Sequence, residues 1–289
     1  MTTHTLETAE ADLVYDVHGP LPTADGRPPL LMIGQPMDAR GFRALASYLT
    51  DRTMVTYDPR GIERSTRKDG RDDHRPEVQA EDVHALIEAL GVGPVELFGS
   101  SGGAVTALAL VTAHPHDVTT LVAHEPPLIP VVPDAARAER VRAEIRDVYE
   151  AKGFGAGMAA FIQWTSWRGE VTEDYFTQPP ADPAQFGLPT EDDGARDDIL
   201  LSDRCWAVSG YSPDIEALRA APTRIVIALG EESADEFTGR AATATAELLG
   251  QRPTVFPSHH GGFLDDEFGY PGQPEAFAAK LREVLDAKD

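Results

Sequence analysis

Through most of its 289 residues the chain sets short apolar runs against stretches in which apolar residues recur every three or four positions. The first pattern is that of strands and the second that of helices. Residues 11–18, from Ala11 to His18, partly alternate and stop at Gly19-Pro20, as a half-exposed edge strand would. Leu30-Leu31-Met32-Ile33 is a continuous apolar run closed by Gly34, which predicts a strand covered on both faces, and Met54-Val55-Thr56-Tyr57 predicts another. Residues 41–50 read as a helix between them, and Asp58-Pro59-Arg60-Gly61 as a tight turn. From Glu77 to Leu90 the residues Val83, Leu86, Ile87 and Leu90 fall at helical spacing, and Gly91-Val92-Gly93-Pro94 then leads into Val95-Glu96-Leu97-Phe98. A buried helix over 104–110 and a strand over 118–122 follow.

The alternation lapses from about 128 to 220. That region carries helical stripes (Val141, Ile145, Val148, Tyr149), the aromatics Phe161, Trp164 and Trp167, and a loose Pro/Asp/Gly-rich segment from Gln178 to Gly194. Strands and helices resume with a strand over 224–229, a helix over 239–249, a short strand over 254–256 and a closing helix over 274–287. Strands alternating with helices predict an α/β fold, a mostly parallel central sheet with helices on both faces. Residues 1–127 and 221–289 are expected to form that core, with 128–220 as a helical insertion. The aromatics of the insertion sit at helical spacing, which suits packing inside it, with Phe161, Trp164 and Trp167 also candidates for a pocket wall.

Composition narrows the function classes. A net charge of −23 opposes binding to nucleic acid or to anionic lipid surfaces. Cys205, the single cysteine, excludes an internal disulfide and a multi-cysteine metal site, and its surroundings match no nucleophile motif, so it reads as a buried structural thiol. No apolar run reaches the roughly 18 residues of a membrane span, and the first residues lack the basic start and apolar stretch of a secretory signal. A cytoplasmic protein acting on a small molecule is the expectation, with no nucleic-acid or membrane partner and with a homodimer left open.

The chemistry points to Gly99-Ser100-Ser101-Gly102-Gly103, a G-x-S-x-G motif. With 25 glycines in the chain, composition alone yields such a motif in on the order of one sequence in ten. Its context therefore carries the weight: a strand directly before, a helix directly after. A serine at a sharp turn between them needs neighbours without side chains, because strand and helix pass close together, and the turn aims the first helical N–H groups at a developing oxyanion. Serine also needs a base. Among nine histidines, His114 and His116 end the helix beside Pro115, and His4, His18, His74 and His84 lie in or near exposed segments. His260, in Phe256-Pro257-Ser258-His259-His260-Gly261-Gly262-Phe263, follows the last strand and so emerges at the same sheet edge as Ser101; its neighbour His259 reads as a spectator.

With these residues assembled, the chain resembles the α/β-hydrolase superfamily along nearly its whole length. The resemblance rests on Gly34-Gln35-Pro36 at the place of the oxyanion loop, Tyr57-Asp58-Pro59-Arg60-Gly61 at the aspartate-arginine-glycine turn, the serine motif, and His260-Gly261-Gly262-Phe263. It implies Ser101 as nucleophile, His260 as general base, the backbone N–H groups of Gln35 and Gly102 as the oxyanion hole, and the 128–220 insertion as a cap. It also implies that Asp58 and Arg60 brace the oxyanion loop and stay out of the chemistry. No cofactor or metal is expected.

Two departures stand out. Ile33-Gly34 replaces the usual His-Gly of the oxyanion loop, and in Gly230-Glu231-Glu232-Ser233 a serine occupies the usual place of the triad's aspartate. The acid is expected at Glu125, at the end of the strand after the serine helix and followed by Pro126 and Pro127; some members, the haloalkane dehalogenases among them, take their acid from that strand end. Glu232 is the alternative. The implied activity is hydrolysis of a small or medium apolar ester, lactone or related acyl compound. The alternatives are a lyase, cyclase, C–C hydrolase or perhydrolase reaction in specialised metabolism, or a hydrolase-like ligand receptor.

Overall fold

The computed structural model describes residues 1–266 and 269–287, so positions 267–268 and the last two of the expected core segment, 288–289, lie outside the described residues. Among the described residues nine strands make one sheet. β1 (Thr2–Glu7) pairs antiparallel with β2 (Ala11–His18), and β2 pairs antiparallel with β4 (Met54–Tyr57) and with the two-residue β5 (Thr66–Arg67). From β4 onward the pairings are parallel: β4 with β3 (Leu30–Gln35), β3 with β6 (Val95–Ser101), then β7 (Val118–His124), β8 (Arg224–Gly230) and β9 (Thr254–Phe256).

The apolar runs are continuous because each inner strand is covered twice. Leu31, Ile33, Leu97, Leu121 and Ile227 face a core built with α2 (Pro76–Leu90) and α3 (Gly102–Ala113). Leu30, Met32, Phe98, Val122 and Val226 face the opposite core, where residues just before and within α1 (Arg43–Tyr48) meet α9 (Pro274–Asp286) through Phe42, Leu45, Phe277 and Leu281. This is the α/β arrangement expected from the sequence.

The edge strand is a different one from that expected. Residues 11–18 lie inside the sheet, and β1 forms the edge. Five of its six residues are exposed, so hydrophobic periodicity has nothing to mark there, and only the three β-branched threonines suit a strand. Between β7 and β8 the described elements are all helical: a 3-10 turn at Ile129–Val131, α4 (Ala135–Thr165), α5 (Glu173–Phe176), two further short turns, α6 (Trp206–Ser209) and α7 (Ile215–Ala220). Gly153, with φ of 81°, breaks α4 in its middle. Val208 of α6 and Leu218 of α7 join the core that contains α3, so the end of the 128–220 insertion packs with the sheet domain.

Asp58 and Arg60 take separate tasks. Asp58 Oδ1 accepts the Ala39 N–H at 3.0 Å, just beyond the Gly34-Gln35-Pro36 loop, whereas Arg60 turns away from that loop. Its guanidinium makes two hydrogen bonds of 2.6 Å to the buried Asp82 of α2, with Asp69 at 3.0 Å. Removing one partner of a buried pair strands the other charge. Asp82→Ala should therefore cost on the order of 3 kcal/mol in urea unfolding, while Arg60→Met combined with Asp82→Leu should recover most of it; equal losses in both proteins would contradict this account.

Candidate active site

Ser101 lies where β6 passes into α3, at the carboxyl edge of the sheet, with φ of 56° and ψ of −127°. A non-glycine residue holds such a backbone only where its surroundings force it. The forcing is steric closeness. A Cβ on Gly99 would come within 2.8 Å of the Gly103 carbonyl, and one on Gly103 within 2.3 Å of the Ile33 carbonyl, so β3, β6 and α3 meet at distances only glycine permits. Gln35 is in register opposite Ser101 across the β3–β6 pairing, and Gly102 opens α3 against the Gln35 side chain.

Glu125 directly follows β7 and is fully buried, with a left-handed φ of 48°. Its backbone N–H bonds the Ala228 carbonyl, which docks this residue on β8. Four donors converge on its carboxylate: Gly230 N at 2.7 Å and the Ser233 hydroxyl on Oε1, and Thr238 Oγ1 at 2.5 Å and His260 Nδ1 at 2.6 Å on Oε2. Burial alone would push this carboxyl up. The hydrogen bonds from His260 and from the Ser233 hydroxyl outweigh it and hold Glu125 well below the usual carboxylate range. An ionised carboxylate only accepts, so Nδ1 of His260 carries a proton toward Glu125, which leaves Nε2 as the nitrogen free of that contact.

Ser233 explains the departure noted in the sequence. The residue at the usual place of the aspartate here supplies a hydroxyl to a carboxylate arriving from β7. Glu232 is exposed, and its backbone bonds the Ser258 carbonyl. His259 stacks on Tyr270 and faces the Pro271 carbonyl. Neither is among the groups bonded to the His260–Glu125 pair.

His124 is the residue that sequence reasoning passed over. It is fully buried beneath His260, its Nδ1 3.3 Å from Ser100 Oγ, among the rings of Phe98, Phe256, Phe263 and Phe277. The signal was its register: it shares a face with Val122 on a strand buried on both sides. His74 also departs from expectation, being 3% exposed.

Ser101, Gly102, Gln35 and His260 border a cavity of about 750 Å³. Ile145, Phe161 and Trp164 of α4 roof it, together with Leu201 and Val208. Trp164 stacks on Phe237 at 4.5 Å. Trp167 is corrected: it points out of the lining, with its indole N–H on the Glu170 carbonyl and its ring edge-on to Tyr175, because it lies past the end of α4 and no longer follows that helix's stripe. Cys205 lines the cavity, and burial pushes its thiol up to about 12, which keeps it protonated and unreactive.

Comparison with known proteins agrees with this architecture. Residues 28–147 match the family model described as alpha/beta hydrolase fold. The chain is 28% identical over 289 residues to the uncharacterized hydrolase YraK of Bacillus subtilis (strain 168), covering 98% of this chain and 95% of that one. Among solved structures it is similar to a thermophilic esterase from Thermogutta terrifontis, with a TM-score of 0.64, 20% identity, and coverage of 99% and 98%. It is also similar to MGS-M2, an alpha/beta hydrolase enzyme from a Medee basin deep-sea metagenome library, with a TM-score of 0.68, 16% identity, and coverage of 99% and 98%. The chain has the α/β-hydrolase fold, and residues 28–147 carry that family's sequence pattern.

The two buried histidines generate a pH prediction. Burial, the largest influence on each, pushes His124 and His74 down to about 4, while an unfolded histidine titrates near 6.5. Between those values the unfolded chain binds more protons, so stability is complete above about pH 6.5 and falls as pH drops toward 4, by ~1 kcal/mol per pH unit for each group. Urea unfolding at pH 7 and pH 5 should show a smaller loss in His74→Asn and in His124→Asn than in the wild type; equal losses would refute it.

Proposed function

We propose that this chain is a cofactor-independent serine hydrolase in which Ser101 is the nucleophile, His260 the general base and Glu125 the acid that orients it. The observation that carries the reading is the contact of His260 Nδ1 with a fully buried, four-donor carboxylate, on a ring that borders the same cavity as Ser101. The relatives named as hydrolases and the esterase of similar fold support it.

In this mechanism Ser101 Oγ attacks the substrate carbonyl while His260 Nε2 takes the hydroxyl proton. The negative charge that develops on the carbonyl oxygen is met by the backbone N–H groups of Gln35 and Gly102, fixed by the β3–β6 register and the start of α3. Collapse expels the alcohol, which takes the proton from His260. Water then attacks the acyl-enzyme with His260 again accepting a proton; the acyl–Oγ bond breaks, Ser101 Oγ takes that proton back from His260, and the acid is released. Glu125 remains ionised throughout and stabilises the imidazolium in each step.

The substrate class is a small or medium ester, lactone or related acyl compound whose acyl portion is mainly apolar. Met37, Ile145, Phe161, Trp164, Phe237 and Leu264 are among the apolar residues lining the cavity, which suits such a group.

Two substitution experiments test the assignment. Ser101→Ala should abolish labelling by a fluorophosphonate probe and lower turnover of p-nitrophenyl esters by on the order of 10³ or more, with unfolding behaviour preserved. Full labelling of that variant, carried by Ser100, would refute the nucleophile. Glu125→Gln should lose about 10² to 10⁴ in turnover at pH 7, because an amide cannot stabilise the imidazolium, while Glu232→Gln loses little. The reverse ranking would move the acid to the later loop.

A further inference from the structure

At the edge of the sheet opposite Ser101, three segments bring together a second group of histidine and carboxylate side chains. His84 projects from the middle of α2, His114 stands just past α3, and Asp117 immediately precedes β7. The two imidazoles stack with centroids 3.7 Å apart and planes within 6°. His84 Nδ1 is 2.7 Å from Asp117 Oδ2, and His114 Nε2 is 2.9 Å from Glu81 Oε1. Glu88 Oε1 approaches His84 Nε2 at 3.7 Å. One ligand atom from each of His84, His114 and Asp117 falls within 4.8 Å of the other two, with the side chains 18–25% exposed.

We propose that His84, His114 and Asp117 form a binding site for a divalent transition-metal ion of the zinc type, which clamps α2 to the far end of α3. Two imidazole nitrogens and a carboxylate oxygen, with no thiolate, suit Zn²⁺, Co²⁺, Ni²⁺ or Cu²⁺, whereas Mg²⁺ and Ca²⁺ ask for shells of oxygen ligands that these residues do not supply. The three carboxylates Asp117, Glu81 and Glu88 around the imidazoles offset the added positive charge. Binding displaces the proton shared between His84 and Asp117 and leaves the metal between the two groups.

The rearrangement needed is small and local. Tetrahedral zinc with bonds of about 2.0–2.1 Å sets its ligand atoms roughly 3.3 Å apart, so the widest present separation must shorten by at most about 1.5 Å. The stacked rings must also turn about their Cβ–Cγ bonds until their lone pairs converge. Partly exposed side chains can do this while the backbone stays fixed by the α2–α3 packing and the β6–β7 pairing. Glu81, one helical turn before His84, is within reach as the fourth ligand.

The test uses the tag-free full chain, stripped with a chelator, and zinc sulfate titrated at pH 7.5 by calorimetry. One zinc should bind with a Kd of about 10 μM or tighter, raise the melting temperature, and weaken at pH 5.5 as protons compete for the imidazoles. His84→Gln and His114→Gln, whose melting without zinc reports that they fold, should each weaken binding at least about tenfold, and magnesium should bind no variant measurably. Failure of zinc to bind below about 1 mM, or tight binding that survives both substitutions, overturns the proposal. So does a magnesium or calcium affinity equal to that for zinc.

Discussion

A carboxylate without water around it must be matched group by group or it unfolds what surrounds it, and the region around the cavity is arranged to meet that demand at Glu125. Its two oxygens receive donors from the end of β8, the loop after β8, the start of α8 (Phe237–Leu248) and the loop after β9. Four separate segments are thereby fixed to one point at the carboxyl edge of the sheet. The left-handed backbone of Glu125 costs something on the order of 1–3 kcal/mol in itself, and its docking to the Ala228 carbonyl and the four donors over-determine it. The positive φ of Ser101 is sustained similarly, by the close crossing of β3, β6 and α3.

The sheet and its covering helices were legible in the sequence because burial on both faces leaves uninterrupted apolar runs, and amphipathic coverage leaves a helical period. Leu30 to Ile33 and Leu121-Val122 show the first, Val83 to Leu90 the second. β1 was not legible, since an exposed edge strand has no apolar face to display. The site was legible where chemistry fixes local spacing, as in the glycines around Ser101. It was less so where partners come from distant segments: nothing near Thr238 marks it as a donor to Glu125, and only the serine at 233, in an aspartate's usual place, hinted that the carboxylate came from elsewhere. His124 left a fainter trace, a polar residue in the register of Val122 on a doubly buried strand. Trp167 was misread because a helical stripe was extended past the end of its helix.

With a buried carboxylate at the end of β7, the loop after β8 supplies hydrogen-bond donors to it, and that loop's own glutamates, Glu231 and Glu232, remain exposed. The carboxylate stands one residue beyond the buried His124. That histidine is kept neutral by burial, so it adds packing against four phenylalanine rings without adding a second positive charge beside His260.

The 128–220 insertion and the carboxylate meet on the same helix. Thr238 of α8 donates to Glu125, while its neighbours on α8 hold the insertion: Phe237 stacks on Trp164, and Arg240 pairs with Asp134 and donates to the Gly169 carbonyl at 2.7 Å. Asp134 is itself 2% exposed and accepts the Val171 N–H at 2.6 Å, so breaking the Arg240 pair would leave a buried charge at a cost of about 3–5 kcal/mol. Any movement of the cap along this seam must therefore either pay that cost or carry α8 with it, and moving α8 draws Thr238 away from Glu125. The seam is too stiff to act as the hinge of an opening lid. Phe186 and Tyr270, by contrast, border the cavity with more than a third of their surface exposed.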